Sequence, residues 1–149
     1  MFEPKKILVP TDFSEYSDRA LREALDIADK YHSQVYLLHV IDENVQQCAV
    51  DYCLPKETVD NLEKMKFERS REMLTEEVER LSDRPAVEIN YDVRMGAPTD
   101  VILQEQEDRD IDLIVMASHK KTGFKSHFLS SVSDKVAEKA KVEVLLVKE

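Results

Sequence analysis

DLIVMASHKKTGFKSHFLSSVSDK, Asp112 to Lys135, is the stretch on which the fold turns. After Asp112 it is apolar through Ala117, as expected of a strand buried on both faces. A polar, basic segment follows, and Leu129 to Ala140 reads as a helix. Strand, loop and helix in that order form the unit in which α/β proteins hold a phosphate group. Yet the loop contains a single glycine, Gly123. Loops that wrap phosphate depend on glycine, because a residue without Cβ takes positive φ cheaply and lets the backbone close on the anion.

Working outward, the same alternation repeats. Lys5 to Val9 (KKILV) is a short apolar strand stopped by Pro10. Ala20, Leu21, Ala24, Ile27, Ala28 and Tyr31 recur at helical spacing, with Asp12 or Ser14 as N-cap and Glu15 as capping-box partner of Asp12. Gln34 to Val40 is the second strand. Val59 to Leu81 is a long charged helix whose expected stripe is Val59, Leu62, Met65, Met73, Leu74, Val78 and Leu81. Val87 to Met95 alternates strictly between apolar and polar, which marks a half-exposed strand at a sheet edge. Gly96 ends it, and Pro98 opens a short helix to about Glu107. Val142 to Val147 is the last strand. Five strands alternating with four helices predict an α/β fold: a doubly wound, Rossmann-like, five-stranded parallel sheet with helices on both faces.

At 149 residues the chain is expected to form one domain, 1–149. It has no apolar run of 18 residues, so no membrane span is expected, and its N-terminus lacks the pattern of a secretory signal, so a cytoplasmic location is expected. Cys48 and Cys53, spaced CAVDYC, fit neither a CxxC redox pair nor a zinc knuckle and read as reduced thiols. A net charge of −10 argues against nucleic-acid binding. From Ser118 to Phe128, however, Lys120, Lys121, Lys125, His119 and His127 occur with no acid, a basic island on an acidic chain.

KKILVPTDFSEYSDRALREALDIA, VYLLHV, RMGAPTDVILQEQ, DLIVMASHKKTG and SSVSDKVAEKAKVEVLLVK together resemble the universal stress protein family, across nearly the whole chain and in the right order. The resemblance implies a dimeric cytoplasmic protein linked to stress survival, many of whose relatives bind ATP beyond the carboxyl ends of the strands. Their loop after the fourth strand follows Gly, two residues, Gly, nine residues, Gly, then Ser or Thr. Here those positions are Ala117, Lys120, Ser130 and Ser131, so the three glycines are replaced and the hydroxyl is kept. Pro10, Thr11 and Asp12, with Val40, retain the adenosine side. The implied adenine-nucleotide contacts are therefore Pro10, Thr11, Asp12, Val40, Met116, Ala117, Ser118, Lys120, Ser130, Ser131, Val132 and Ser133, with ATP and Mg²⁺ as the candidate ligand.

Two readings of the loop stay open at this point. Lys120, Lys121 and the amides of a helix N-terminus at Ser131 to Ser133 supply positive potential for a phosphate. Alternatively the lysines are a solvated loop face and Ser130 or Ser131 caps the helix. Asp12 is likewise a ligand contact or a helix cap. His39 reads as a packed core residue, and His119 and His127 have no partner at metal-ligand spacing. No GxxxxGK[ST], GxGxxG or GxSxG pattern occurs, and no catalytic constellation is expected. The expectation is a non-enzymatic, homodimeric stress-response module, paired through its apolar C-terminal strand, with weak or absent ATP binding; the alternative is an ATP-dependent switch.

Overall fold

The computed structural model describes residues 1–43, 51–118 and 129–148. Lys120, Lys121, Lys125, His119, His127, Gly123 and Cys48 fall outside the described residues; Cys53 is exposed, with a free thiol. The elements run β1 (Lys6–Pro10), α1 (Glu15–Tyr31), β2 (Gln34–Asp42), α2 (Lys56–Leu81), β3 (Ile89–Gly96), α3 (Pro98–Asp108), β4 (Leu113–Ala117), α4 (Leu129–Lys139) and β5 (Glu143–Val147). The strands form one parallel sheet in the order β3-β2-β1-β4-β5. The α/β doubly wound architecture expected from the alternation is the one observed.

Burial follows position in the sheet. All five residues of β4 are buried, as its unbroken apolar run requires for a strand covered on both sides. β3 is an edge, as its alternation predicts: Val87 and Val93 turn inward, whereas Asp92 and Arg94 form ion pairs with Arg109 and Glu105. Ile7, Val9, Leu37, Val115 and Ala117 pack with α1 and α2 on one face. Leu8, Leu38, Val40, Ile114 and Met116 pack with α3 and α4 on the other. The winding reverses between β1 and β4, and their carboxyl ends open side by side toward one crevice.

One alternative is decided and two local expectations are corrected. Ser14 is the N-cap of α1, its Oγ accepting from Ser17 N at 3.3 Å, so Asp12 does not cap the helix and Glu15 makes no capping box. A helix of 26 residues spans about 39 Å, longer than the strands it covers. Only its C-terminal half therefore lies on the sheet: Leu74 and Leu81 are buried, whereas the expected stripe residues Leu62 and Met65 are 42% and 63% exposed. Finally, α4 already includes Leu129, so Ser130 and Ser131 lie inside its first turn and neither is its N-cap.

Candidate functional site

β1 ends in a turn built by its own side chains. Thr11 N donates to Leu38 O at 2.8 Å, prolonging the β1–β2 ladder past Pro10. Thr11 Oγ1 then accepts Phe13 N at 3.0 Å, and Asp12 Oδ1 accepts Ser14 N at 3.0 Å, two successive side-chain-to-backbone turns. Between them Phe13 adopts φ 65°, a left-handed conformation that costs a bulky residue about 1 kcal/mol or more. The Phe13 ring lies 4.3 Å, centroid to centroid, from the His39 ring, which helps to hold the strained residue in place.

Behind the turn lies a buried polar cluster. Thr11 is 1% exposed, Ser17 is fully buried, and Glu77 of α2 is 2% exposed. Thr11 Oγ1 stands 3.0 and 3.1 Å from the two Glu77 carboxyl oxygens and 3.0 Å from Ser17 Oγ. Ser17 Oγ in turn donates to Asp12 Oδ1 at 3.1 Å. Asp18 of α1, also buried, is gripped by Arg80 through bonds of 2.7 and 3.1 Å. Burial pushes the Glu77 carboxyl up to about 7, with the Asp18 carboxylate acting in the same direction and Thr11 and Arg80 opposing.

His39 braces the turn from β2. Its Nδ1 lies 2.8 Å from Thr11 O, and since a carbonyl only accepts, Nδ1 carries the proton. Burial pushes the imidazole below its usual value, so the neutral Nδ1–H tautomer is the form that makes this bond. The amide, carbonyl and hydroxyl of Thr11 are thus all bonded within the protein.

The other sequence-predicted residues gather at the same end of the sheet. Val40 lies two residues beyond Leu38, the partner of Pro10, and is 3% exposed. Met116 and Ala117 end β4 and are buried, and Ser118 N donates to Val147 O at 2.9 Å. In α4, Val132 and Ser133 are buried and Ser131 faces outward. Lys120 is outside the described residues, and Ser130 is placed by its helical backbone. Asp12, Ser118 and Ser131 are the described members that remain partly or fully accessible to a ligand. They place a carboxylate and two hydroxyls at the switch point of a doubly wound sheet, with Asp12 Oδ1 bonded to Ser14 N and Ser17 Oγ and Asp12 Oδ2 buried.

The universal stress protein family model matches residues 3–148. The chain belongs to the universal stress protein family. This universal stress protein is 34% identical to one from Methanothermobacter thermautotrophicus, over 97% of its own length and 95% of the relative's. Against the solved structure of MJ0577, a Methanocaldococcus jannaschii universal stress protein, it superposes with a TM-score of 0.81 at 32% identity, covering 99% of this chain and 98% of that one. It shares its fold with a universal stress protein from Archaeoglobus fulgidus solved in complex with dAMP, at TM-score 0.59 and 19% identity, over 99% and 100% of the two chains.

Sequence reasoning missed Ser17, Asp18 and Glu77. Glu77 falls three residues after Leu74 and four before Leu81, which places a carboxylate on the buried stripe of α2. That spacing was available in the sequence.

Proposed function

We propose that this universal stress protein is a cytoplasmic, non-enzymatic stress-response module that pairs as a homodimer through β5 and whose adenine-nucleotide crevice keeps its adenosine side but has lost its phosphate loop. ATP then binds weakly or not at all. The observation that carries this reading is the replacement of the three loop glycines by Ala117, Lys120 and Ser130 beside an intact Pro10-Thr11-Asp12 turn. The dAMP complex of the A. fulgidus fold relative supports an adenine nucleotide as the ligand class. Among the described residues no group of three or more His, Cys, Asp or Glu is placed to hold a metal ion. No described helix is long and apolar enough to cross a membrane.

One observation favours the second reading, an ATP-dependent switch. Ala117 sits in a regular strand and Ser130 in a helical turn, so neither substitution forces a side chain into positive φ. Their remaining cost is bulk against the phosphates. Calorimetry with ATP and Mg²⁺ separates the two readings: a low-micromolar affinity overturns the first. Lys120→Gly combined with Ser130→Gly is expected to raise ATP affinity about tenfold. No gain from that pair places the defect elsewhere in the crevice.

A further inference from the structure

We propose that Glu77 is a positioning residue for the Asp12 carboxylate, acting through Thr11 and Ser17, so that the proton on Glu77 sets how firmly Asp12 is held for an adenine nucleotide. The nucleotide half of this inference rests on the reading above; the positioning half rests on the buried cluster alone.

Thr11 and Ser17 each carry one hydroxyl proton. When Glu77 is ionised it only accepts, and the Thr11 proton goes to it across 3.0 and 3.1 Å. The Ser17 proton is then contested by Asp12 Oδ1 at 3.1 Å, Ser14 O at 2.9 Å and the lone pair left on Thr11 Oγ1 at 3.0 Å. When Glu77 is protonated it no longer requires the Thr11 proton, which turns to Ser17 Oγ. Ser17 can then no longer donate to Thr11, and its proton is left to Asp12 Oδ1 and Ser14 O. The acceptors for the Ser17 proton fall from three to two, Ser14 O and Asp12 Oδ1, so the row Thr11, Ser17, Asp12 is weighted toward the carboxylate at the end of β1.

The charges around Glu77 fit a proton that is exchanged near neutrality. α1 presents Asp18, which repels the ionised form and accepts a hydrogen bond from the protonated one. α2 itself contributes Arg80, held by Asp18 and oriented to favour the ionised form. β1 contributes Thr11, and β2 contributes His39, which is committed to Thr11 O. β3 meets the helix two residues earlier through Tyr91, whose hydroxyl pairs with Thr75 Oγ1 at 3.3 Å. A buried carboxylic acid among two hydroxyls and a second acid is a poor ion pair and a good switchable donor.

The test uses the full chain with ¹³C-labelled carboxyl groups, followed by NMR from pH 5 to 9, with AMP as the probe ligand. In the wild type the Asp12 carboxyl resonance should show an inflection at the pH where Glu77 titrates, and Glu77→Gln should abolish it. Thr11→Val should also abolish it while Glu77 itself still titrates; an inflection that persists in Thr11→Val reports charge acting through space and overturns the relay. The absence of a shared inflection in the wild type overturns the proposal outright. AMP affinity of the wild type relative to Glu77→Gln at the same pH, a ratio in which the titration of the AMP phosphate cancels, should fall about fivefold as pH rises through neutrality, as expected for one hydrogen bond gained or lost. A shared inflection with no AMP binding at any pH supports the positioning role and removes the nucleotide reading. AMP binding without a pH step, together with no inflection, does the reverse.

Discussion

Replacing Glu77 by glutamine should change not so much the stability of this protein as the dependence of that stability on pH. In the folded chain the carboxyl titrates at about 7, against 4.5 for the ordinary group. Between those values the folded state holds a proton that the unfolded state has released, so stability falls as pH rises. The contribution is fully present below pH 4.5 and lost as pH rises through 7. From pH 5 to pH 8 the loss is about 2–3 kcal/mol, which is about 5–10 °C in melting temperature for a chain of this size. A carboxamide at the same position still accepts from Thr11 and donates to Asp18 at every pH, so the variant lacks this slope. Urea denaturation of both proteins at pH 5, 6, 7 and 8 provides the assay, because other titrating groups cancel in the difference. The variant should be close to the wild type at pH 5 and more stable by about 2 kcal/mol at pH 8. A difference that stays constant across the range refutes the account of Glu77 as a buried acid titrating near neutrality.

Two further outcomes follow from packing. Gly96 has φ +155°, and a Cβ built there lies 2.7 Å from Val101 Cγ2, so Gly96→Ala should destabilise the fold by about 1–3 kcal/mol in a thermal melt. β5 is an edge strand on which Leu145 is 39% exposed beside Phe2, Ile27 and Tyr31 in a cleft of about 320 Å³. If that edge is where two copies pair, Leu145→Lys should give a monomer by light scattering at micromolar concentration where the wild type is a dimer; a monomeric wild type defeats the dimer reading.

The fold was largely legible because its cues were those of burial. The unbroken LIVMA run could only be a central strand, and the alternation from Val87 to Met95 could only be an edge. What escaped was whatever depended on where an element stops being covered. Leu62 and Met65 continue the helical period of α2, but periodicity does not say that a cleft of about 540 Å³ separates them from His39 to Asp42 of β2. The cap of α1 was ambiguous for a similar local reason: Asp12 and Ser14 are both good capping residues, and only the turn through Phe13 decides that Ser14 caps while Asp12 accepts from it.

The candidate site was legible as a set of positions and not as a mechanism. Glu77 and Asp18 read as surface charges in a chain that is 35% charged, although both sit at the spacing of buried residues. Once they are seen behind Thr11, the Pro10-Thr11-Asp12 motif changes its meaning. Every polar group of Thr11 is bonded inside the protein, so a threonine is required there whether or not a nucleotide binds. The threonine is therefore evidence for the turn. Asp12 is held in the same way, its Oδ1 accepting from Ser14 N and Ser17 Oγ, so the proposal of a nucleotide site turns on the loop positions where the family glycines are replaced. If the crevice has lost its phosphate contacts as proposed above, it should read the base and sugar of a nucleotide more than its charge, which makes AMP a more informative probe than ATP.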